Sequence, residues 1–248
     1  MEGMTIKYEK IYLGKFPIML QSDFCILNKL TPEVRYNMGE CRNDNGGYFI
    51  IDGKEKCIMS QEGRADNMLY IKDDFSEEYI CSAEIRSVSE DASKPVRTLA
   101  VRIVRDQPSI SNHQIKVNVP NVRKPVPLFI VMRALGIISD YDIIEHCLLD
   151  MNKYEDYIDL FRPSVHDAGF IFTQKAALEY IKTLTKGRTV EHVLDILMNY
   201  FLPHIGVNNY IDKGYFIGFM VYKLLRVFTN EDKPTDRDNF KYKRIEQS

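Results

Sequence analysis

With 248 residues, 45% of them hydrophobic, the chain is long enough to bury a sizeable core in one large or two small domains. Its 33 Lys and Arg against 35 Asp and Glu leave a formal net charge of −2, which excludes both a strongly basic nucleic-acid binder and an acidic tail protein. Cys25, Cys41, Cys57, Cys81 and Cys147 are odd in number and form no C-x-x-C pair. That argues for reduced thiols in an intracellular compartment, nucleus or cytoplasm, and against a disulfide framework or a zinc ribbon.

Met1 to Glu9 has no apolar stretch of the kind a secretion signal needs. From Ile11 to Ile71, short β-prone runs alternate with turn clusters such as Asn43-Asp44-Asn45-Gly46-Gly47, so this segment is expected to be strand-rich. Within it, Tyr48 to Ile51 and Cys57 to Ser60 read as two strands flanking a turn at Asp52-Gly53. Gly53 accepts positive φ at no steric cost, and Gly46-Gly47 lets another backbone approach closely. The acidic run 73–79 reads as a linker. Strands are expected at Cys81 to Val88, Thr98 to Arg105 and Gln114 to Val119, the second alternating Leu99, Val101, Ile103 against Ala100, Arg102, Val104, with one buried face and one wet, basic face.

The rest reads as mainly helical. Leu128 to Leu135, Asp140 to Leu149 and Tyr154 to Phe161 are short helices punctuated by Gly136 and Pro163, with Asp140 as an N-cap. Thr173 caps a helix through Leu184, Thr189 caps one through Phe201, and Pro203 stops it. The last helix, Lys213 to Phe228, carries Ile217, Met220, Val221, Leu224 and Phe228 on one stripe. Its most apolar part, Tyr215 to Phe228, is broken by Lys223 and Arg226 and falls short of the ~20 residues of a membrane span. Strands first and helices after give an α+β fold.

Patterns that resemble catalysis fail on spacing. Gly47 to Lys54 nearly spells a phosphate loop, but Glu55 stands where Ser or Thr should bind Mg²⁺, and Tyr48 to Ile51 is an apolar strand. Asp236 and Asp238 could ligate a metal, yet Arg237 between them and Lys241, Lys243 and Arg244 after them favour an ion-pair cluster at a domain joint. His113, His146, His166, His192 and His204 form no metal-ligand pair at helical spacing, and His204 after Pro203 is expected to satisfy helix-end carbonyls. No G-x-S-x-G elbow is present.

Five blocks in order carry a resemblance: Gly14-Lys15-Phe16-Pro17-Ile18-Met19-Leu20-Gln21-Ser22; Gly46-Gly47-Tyr48-Phe49-Ile50-Ile51-Asp52-Gly53-Lys54-Glu55-Lys56-Cys57-Ile58-Met59-Ser60-Gln61-Glu62; Pro125 to Asp140; Phe201-Leu202-Pro203-His204-Ile205; and Asp236 to Ile245. Together they resemble the second-largest subunit of multisubunit DNA-dependent RNA polymerases, the counterpart of bacterial β. The resemblance implies an incomplete first protrusion segment over 1–72, a linker over 73–79, a lobe domain over 80–235 with a small sheet and about six helices, and a return segment towards the protrusion over 236–248. Where the family has His and then Gly in the last block, this chain has Asn239 and Lys241, and Tyr242 replaces a Lys.

The family's metal-facing acid and hybrid-gripping lysines match nothing in this chain. The resemblance therefore implies a non-catalytic scaffold and DNA-cleft wall of a transcribing polymerase, without catalytic residues or a cofactor of its own and with Mg²⁺ expected only in the assembled enzyme. It places Lys56 and Gln61 near nucleic acid and Met59 at a pocket wall. For Lys56 a phosphate partner and a solvated strand residue both remain open. The implied partners are the largest polymerase subunit, the remainder of the second-largest subunit, the DNA template, the RNA–DNA hybrid and transcription factors on the lobe, with no membrane. A rival reading is a free-standing interaction module that keeps the lobe surface for a transcription factor. Loops near 72–81 and 185–189 shorter than in typical cellular enzymes fit a compact, divergent, viral-type polymerase.

Overall fold

The computed structural model describes residues 7, 9–73, 76–91, 93–106, 113–236 and 238–245, with the backbone alone for 242–245. Along the chain run α1 (Pro32–Asn37), β1 (Phe49–Ile51), β2 (Lys54–Lys56), β3 (Ser60–Arg64), β4 (Leu69–Asp73), β5 (Tyr79–Ser87), β6 (Arg97–Val104), β7 (Ile115–Asn118) and β8 (Val126–Pro127). Then come α2 (Leu128–Ala134), α3 (Asp140–Leu148), α4 (Glu155–Ile158), α5 (Arg162–Ala168), α6 (Gln174–Leu184), α7 (Val190–Asp195), α8 (Tyr210–Phe228) and β9 (Lys241–Ile245). The fold is α+β. Two compact units divide the chain, one holding Met1–Gly63 with Tyr242–Ser248 and the other Arg64–Lys241.

The expected linker falls elsewhere. Asp73 ends β4 opposite Cys81 of β5, so the acidic run joins two strands of one sheet. A polar run suits a hairpin connection as well as a linker, which is why composition alone misplaced it. Asp74 and Phe75 lie outside the described residues.

In the larger unit, β4 to β8 form an antiparallel meander in sequence order. Its register stacks apolar side chains in columns: Leu69, Ile85 and Leu99 in one, and Ile71, Ala83, Val101, Val117 and Val126 in the next. Because side chains alternate across a strand, these columns share one face, and all of their residues but the half-buried Leu69 are buried. Helix α8 packs on β4, β5 and β6. Its stripe Ile217, Met220, Val221 and Leu224 is fully buried, as expected, while Phe228 is half-buried. The opposite face of the sheet is drier and less basic than its alternation suggests. Ala100 and Val104 are buried, and Glu84 takes both Lys72 at 2.6 Å and Arg102 at 3.5 Å.

Helix α2 is buried along its whole length, Arg133 included. A buried guanidinium needs its donors filled. Arg133 donates to the carbonyls of Ile171 and Ile138 and pairs with Asp140. Asp140 is therefore not the cap of α3. Ser139 occupies that position, and the Asp140 carboxylate is committed to Arg133. The expected caps of α6 and α7 do form, with the Thr173 hydroxyl accepting from Ala176 N–H and that of Thr189 from His192 N–H. Pro163 opens α5 where it was expected to punctuate, since a proline in the first turn loses no helical bond.

The helix expected to run to Phe201 changes character on the way. After Asp195 it widens into a π segment over Ile196–Tyr200. The fully buried Lys213 of α8 donates to Leu197 O at 2.7 Å and to Met198 O at 3.0 Å. Leu202 then adopts the left-handed conformation, and Pro203 begins a 3-10 turn. His204 does not fill helix-end carbonyls. Its Nδ1 meets the buried Ser87 hydroxyl at 2.7 Å, clasping the turn to β5, and burial with Lys213 nearby lowers its pKa.

Two glycines let α8 come close to its neighbours. A Cβ at Gly218 would lie 2.3 Å from the His146 carbonyl oxygen, whereas one at Gly214 would meet only the flexible Ile137 Cδ1, at 2.5 Å. Gly→Ala within a helix ordinarily gains ~0.5–1 kcal/mol. Gly218→Ala is expected to lose about 1–3 kcal/mol, because backbone must move, while Gly214→Ala stays within about 1 kcal/mol of neutral. Urea unfolding of both variants checks the contrast.

The Lys213 amine is pushed down to about 8, first by burial and then by the Lys94 charge, from an ordinary 10.5. Between those values the unfolded chain binds the proton more tightly than the native one, so stability rises as pH climbs above 8. Urea midpoints at about pH 8 and about pH 9.5 should show a gain in the wild type that Lys213→Met lacks. Equal changes in both proteins would move the effect to another group.

Candidate functional site

Lys56, Met59 and Gln61 lie in the smaller unit, which also holds a knot of backbone. Leu20 N–H donates to Tyr48 O and Gly47 N–H to Leu20 O, each at 2.9 Å, so the first two resemblance blocks are stitched together. Gln21 adds a bond from its amide to Asp44 O at 2.6 Å. Gly46, at φ +68°, is the residue that permits this, since a Cβ there would lie 2.5 Å from Leu20 O. The expectation of a close backbone approach at this glycine pair holds.

Asp44 organises the turn. Its carboxylate accepts from Gly46 N–H at 2.8 Å and from the Tyr48 hydroxyl at 2.5 Å, a side-chain substitute for a backbone turn. The Tyr48 bond, then the Gly46 bond, hold the Asp44 carboxyl below its ordinary pKa. The same bond pushes the Tyr48 hydroxyl up to about 12.

The hairpin that follows turns at Asp52 and Gly53, with φ of 50° and 72°. Positive φ at both central residues is the two-residue turn whose twist suits paired strands. It sets Ile51 opposite Lys54, Ile50 opposite Glu55 and Phe49 opposite Lys56. The second strand is therefore Lys54–Lys56, earlier than the Cys57 to Ser60 expected, because so tight a turn leaves no residues to spare. Ser60 instead opens β3, which pairs with β9.

Lys56 ends β2 and is exposed; Gln61, in β3, is exposed as well, and Met59 between them is 69% exposed. Beside the hairpin, Phe16, Pro17, Ile18, Met19, Phe24 and Phe49 line an open apolar cleft of about 630 Å³. Phe16 and Phe24 are each 87% exposed. Aromatic rings at that exposure carry the cost of hydration that burial would remove. Phe49 is half-buried and faces this cleft.

At the other end of the chain, Asp236 accepts from Asp238 N–H at 3.0 Å, a local turn, and Asp238 pairs with Lys241 at 2.7 Å. Lys241, one of the residues that depart from the family pattern, thus supplies the ion pair. Arg237 lies outside the described residues, as do the side chains of Lys243 and Arg244 in β9. Among the described residues no three His, Cys, Asp or Glu side chains are placed to hold a metal ion. No helix among the described residues is long and apolar enough to cross a membrane.

Comparison with known proteins agrees in extent. The profile of the RNA polymerase beta subunit family matches residues 2–232. The DNA-directed RNA polymerase II subunit RPB2 of Schizosaccharomyces pombe is 34% identical over 246 residues, covering 96% of this chain and 20% of its own length. That of Encephalitozoon cuniculi is 36% identical over 251 residues, 98% of this chain and 21% of its own. The DNA-directed RNA polymerase subunit Rpo2N of Methanothermobacter thermautotrophicus is 27% identical over 267 residues, 99% of this chain and 51% of its own. The chain spans about a fifth of the eukaryotic relatives it matches. A match over nearly its whole length shows that the chain belongs to the RNA polymerase beta subunit family, as a segment of the second-largest subunit.

Proposed function

We propose that the chain serves transcription as a non-catalytic scaffold, the protrusion-and-lobe wall of a polymerase's DNA cleft. The larger unit is the lobe. The smaller unit is a first portion of the protrusion, completed by the remainder of the second-largest subunit and joined to the largest subunit. The observation that carries this reading is the exposed apolar cleft around Phe16, Phe24 and Phe49, because so short a segment leaves unburied what a completed domain would cover. In this reading Lys56 and Gln61 face the RNA–DNA hybrid, Met59 lines the adjoining pocket, and Asp236 to Arg244 lead the chain back to the protrusion. Nucleotide transfer and its Mg²⁺ belong to other segments of the assembled enzyme, in the nucleus or cytoplasm. Transcription factors dock on the lobe.

Co-purification from cells with a largest subunit and active polymerase is the expected result. Recovery with regulatory factors alone would favour a free-standing interaction module. Expressed separately, residues 64–241 should melt cooperatively, and residues 1–63 should not. A cooperative melt of the shorter piece would show that it closes its own core.

Lys56→Ala and Gln61→Ala should change stability by less than about 0.5 kcal/mol, as exposed substitutions do. In the reconstituted polymerase each should weaken elongation or transcript retention by removing a polar contact to the nucleic-acid backbone. An early melt with normal transcription would make Lys56 a structural strand residue.

A further inference from the structure

Two loops of the larger unit, around residues 119–125 and 185–189, are joined to each other. Val122 bridges Thr185 in antiparallel fashion, and Arg123 N–H donates to Leu184 O at 3.2 Å. Thr185 is buried and turns its hydroxyl onto Lys182 O at 2.9 Å. Gly187 lies so near His192 that a Cβ there would come within 2.7 Å of the ring. The bridge and the Arg123 bond thus hold two connections together as a single rim, and the Gly187 contact packs the second of them against the start of α7.

That rim borders an open cleft of about 620 Å³ lined by Asn121, Val122, Arg123, Lys186, Gly187 and His192. Arg123, Lys124, Lys186 and Arg188 are all exposed. Among the described residues none of the four meets a carboxylate at ion-pair distance. Elsewhere in this unit several cations are paired. Glu84 neutralises Lys72 and Arg102, Asp66 takes Arg86, and Asp232 takes Lys223 and Arg226. In a chain whose formal net charge is −2, four unpaired cations on one fixed rim are a local concentration of positive potential.

The chemistry of the lining narrows the partner. An acidic protein surface would need an apolar anchor at the centre of the contact, and Val122 is the sole apolar side chain in the lining. A single strand would need rings on which its bases could stack, and His192, half-buried against Gly187, is a poor platform. Guanidinium forks, ammonium groups and an Asn amide match phosphate oxygens, with no element that reads base edges. We propose that Arg123, Lys124, Lys186 and Arg188 form a sequence-independent contact for the phosphate backbone of duplex DNA. This deepens the cleft-wall reading and rests on it for the presence of that duplex.

The test uses the full 248-residue chain and a short fluorescein-labelled duplex, followed by anisotropy between about 50 and 200 mM salt. Wild-type affinity should fall in the non-specific range of about 10⁻⁴ to 10⁻⁶ M with strong salt dependence. The variant R123E/K186E/R188E should bind about tenfold or more weakly at the lowest salt, with a log–log salt slope smaller by about 2–3. A control, K153E/K175E/K233E, reverses exposed lysines elsewhere and should retain most of the affinity. Urea midpoints of both variants should match the wild type. An unchanged affinity and slope in the rim variant, an equal loss in the control, or equal competition by a single strand or by polyglutamate of the same charge would each overturn the proposal. If the wild-type chain fails to co-purify with polymerase subunits while the rim variant still loses DNA, the cleft-wall reading falls and the DNA surface stands. If the chain co-purifies and the rim variant binds as before, only the rim assignment falls.

Discussion

The contact of Gly218 with the His146 carbonyl fixes where α8 can lie, and α8 is the element on which the larger unit is assembled. From that position its apolar stripe covers the columns of the β4 to β8 sheet, and its Lys213 reaches the carbonyls of the π segment. The clasp between His204 and Ser87 then ties the following turn to the same sheet. The Lys213 bonds are short and directional, and they would loosen if the helix moved outward by the width of a methyl group. Packed interiors tolerate little such movement.

The smaller unit is held by different means. Its order comes from bonds around Leu20, Asp44 and Gly46 and from one tight hairpin turn, with little apolar surface removed from water. Directional bonds specify a shape but stabilise it weakly, since each replaces a bond to water. The larger unit has the opposite balance, with a continuous buried cluster running from Ile71 to Val227.

Much of this arrangement was legible in the sequence where a local rule decides structure. The Thr173 and Thr189 caps, the turn at Asp52-Gly53, the close approach at Gly46 and the α8 stripe all follow from near neighbours in the chain. The misplacements have a common cause, because distant residues settled them. Asp140 was free to cap α3 until Arg133 claimed its carboxylate, and the helix after Thr189 was regular until Lys213 met its carbonyls. The acidic run 73–79 could not reveal that Leu69–Asp73 pairs with Tyr79–Ser87. Around Lys56 and Gln61 the family blocks located the segment, but exposure alone does not say what an exposed polar group meets. The rim of Arg123 and Lys186 escaped notice because its cations lie some sixty positions apart in a chain of balanced charge.

The hairpin of β1 and β2 is a sheet of two strands, so among the described residues each has a neighbour on one side only. On the outer side of β2 the run Lys54-Glu55-Lys56 presents charge at every position, which discourages another strand from joining there. The outer side of β1 presents Phe49-Ile50-Ile51, apolar and β-prone, with its backbone groups unclaimed by a further strand. Growth of this sheet is therefore one-sided. That edge is where another strand would add. In the chain by itself it is the surface from which self-association would begin.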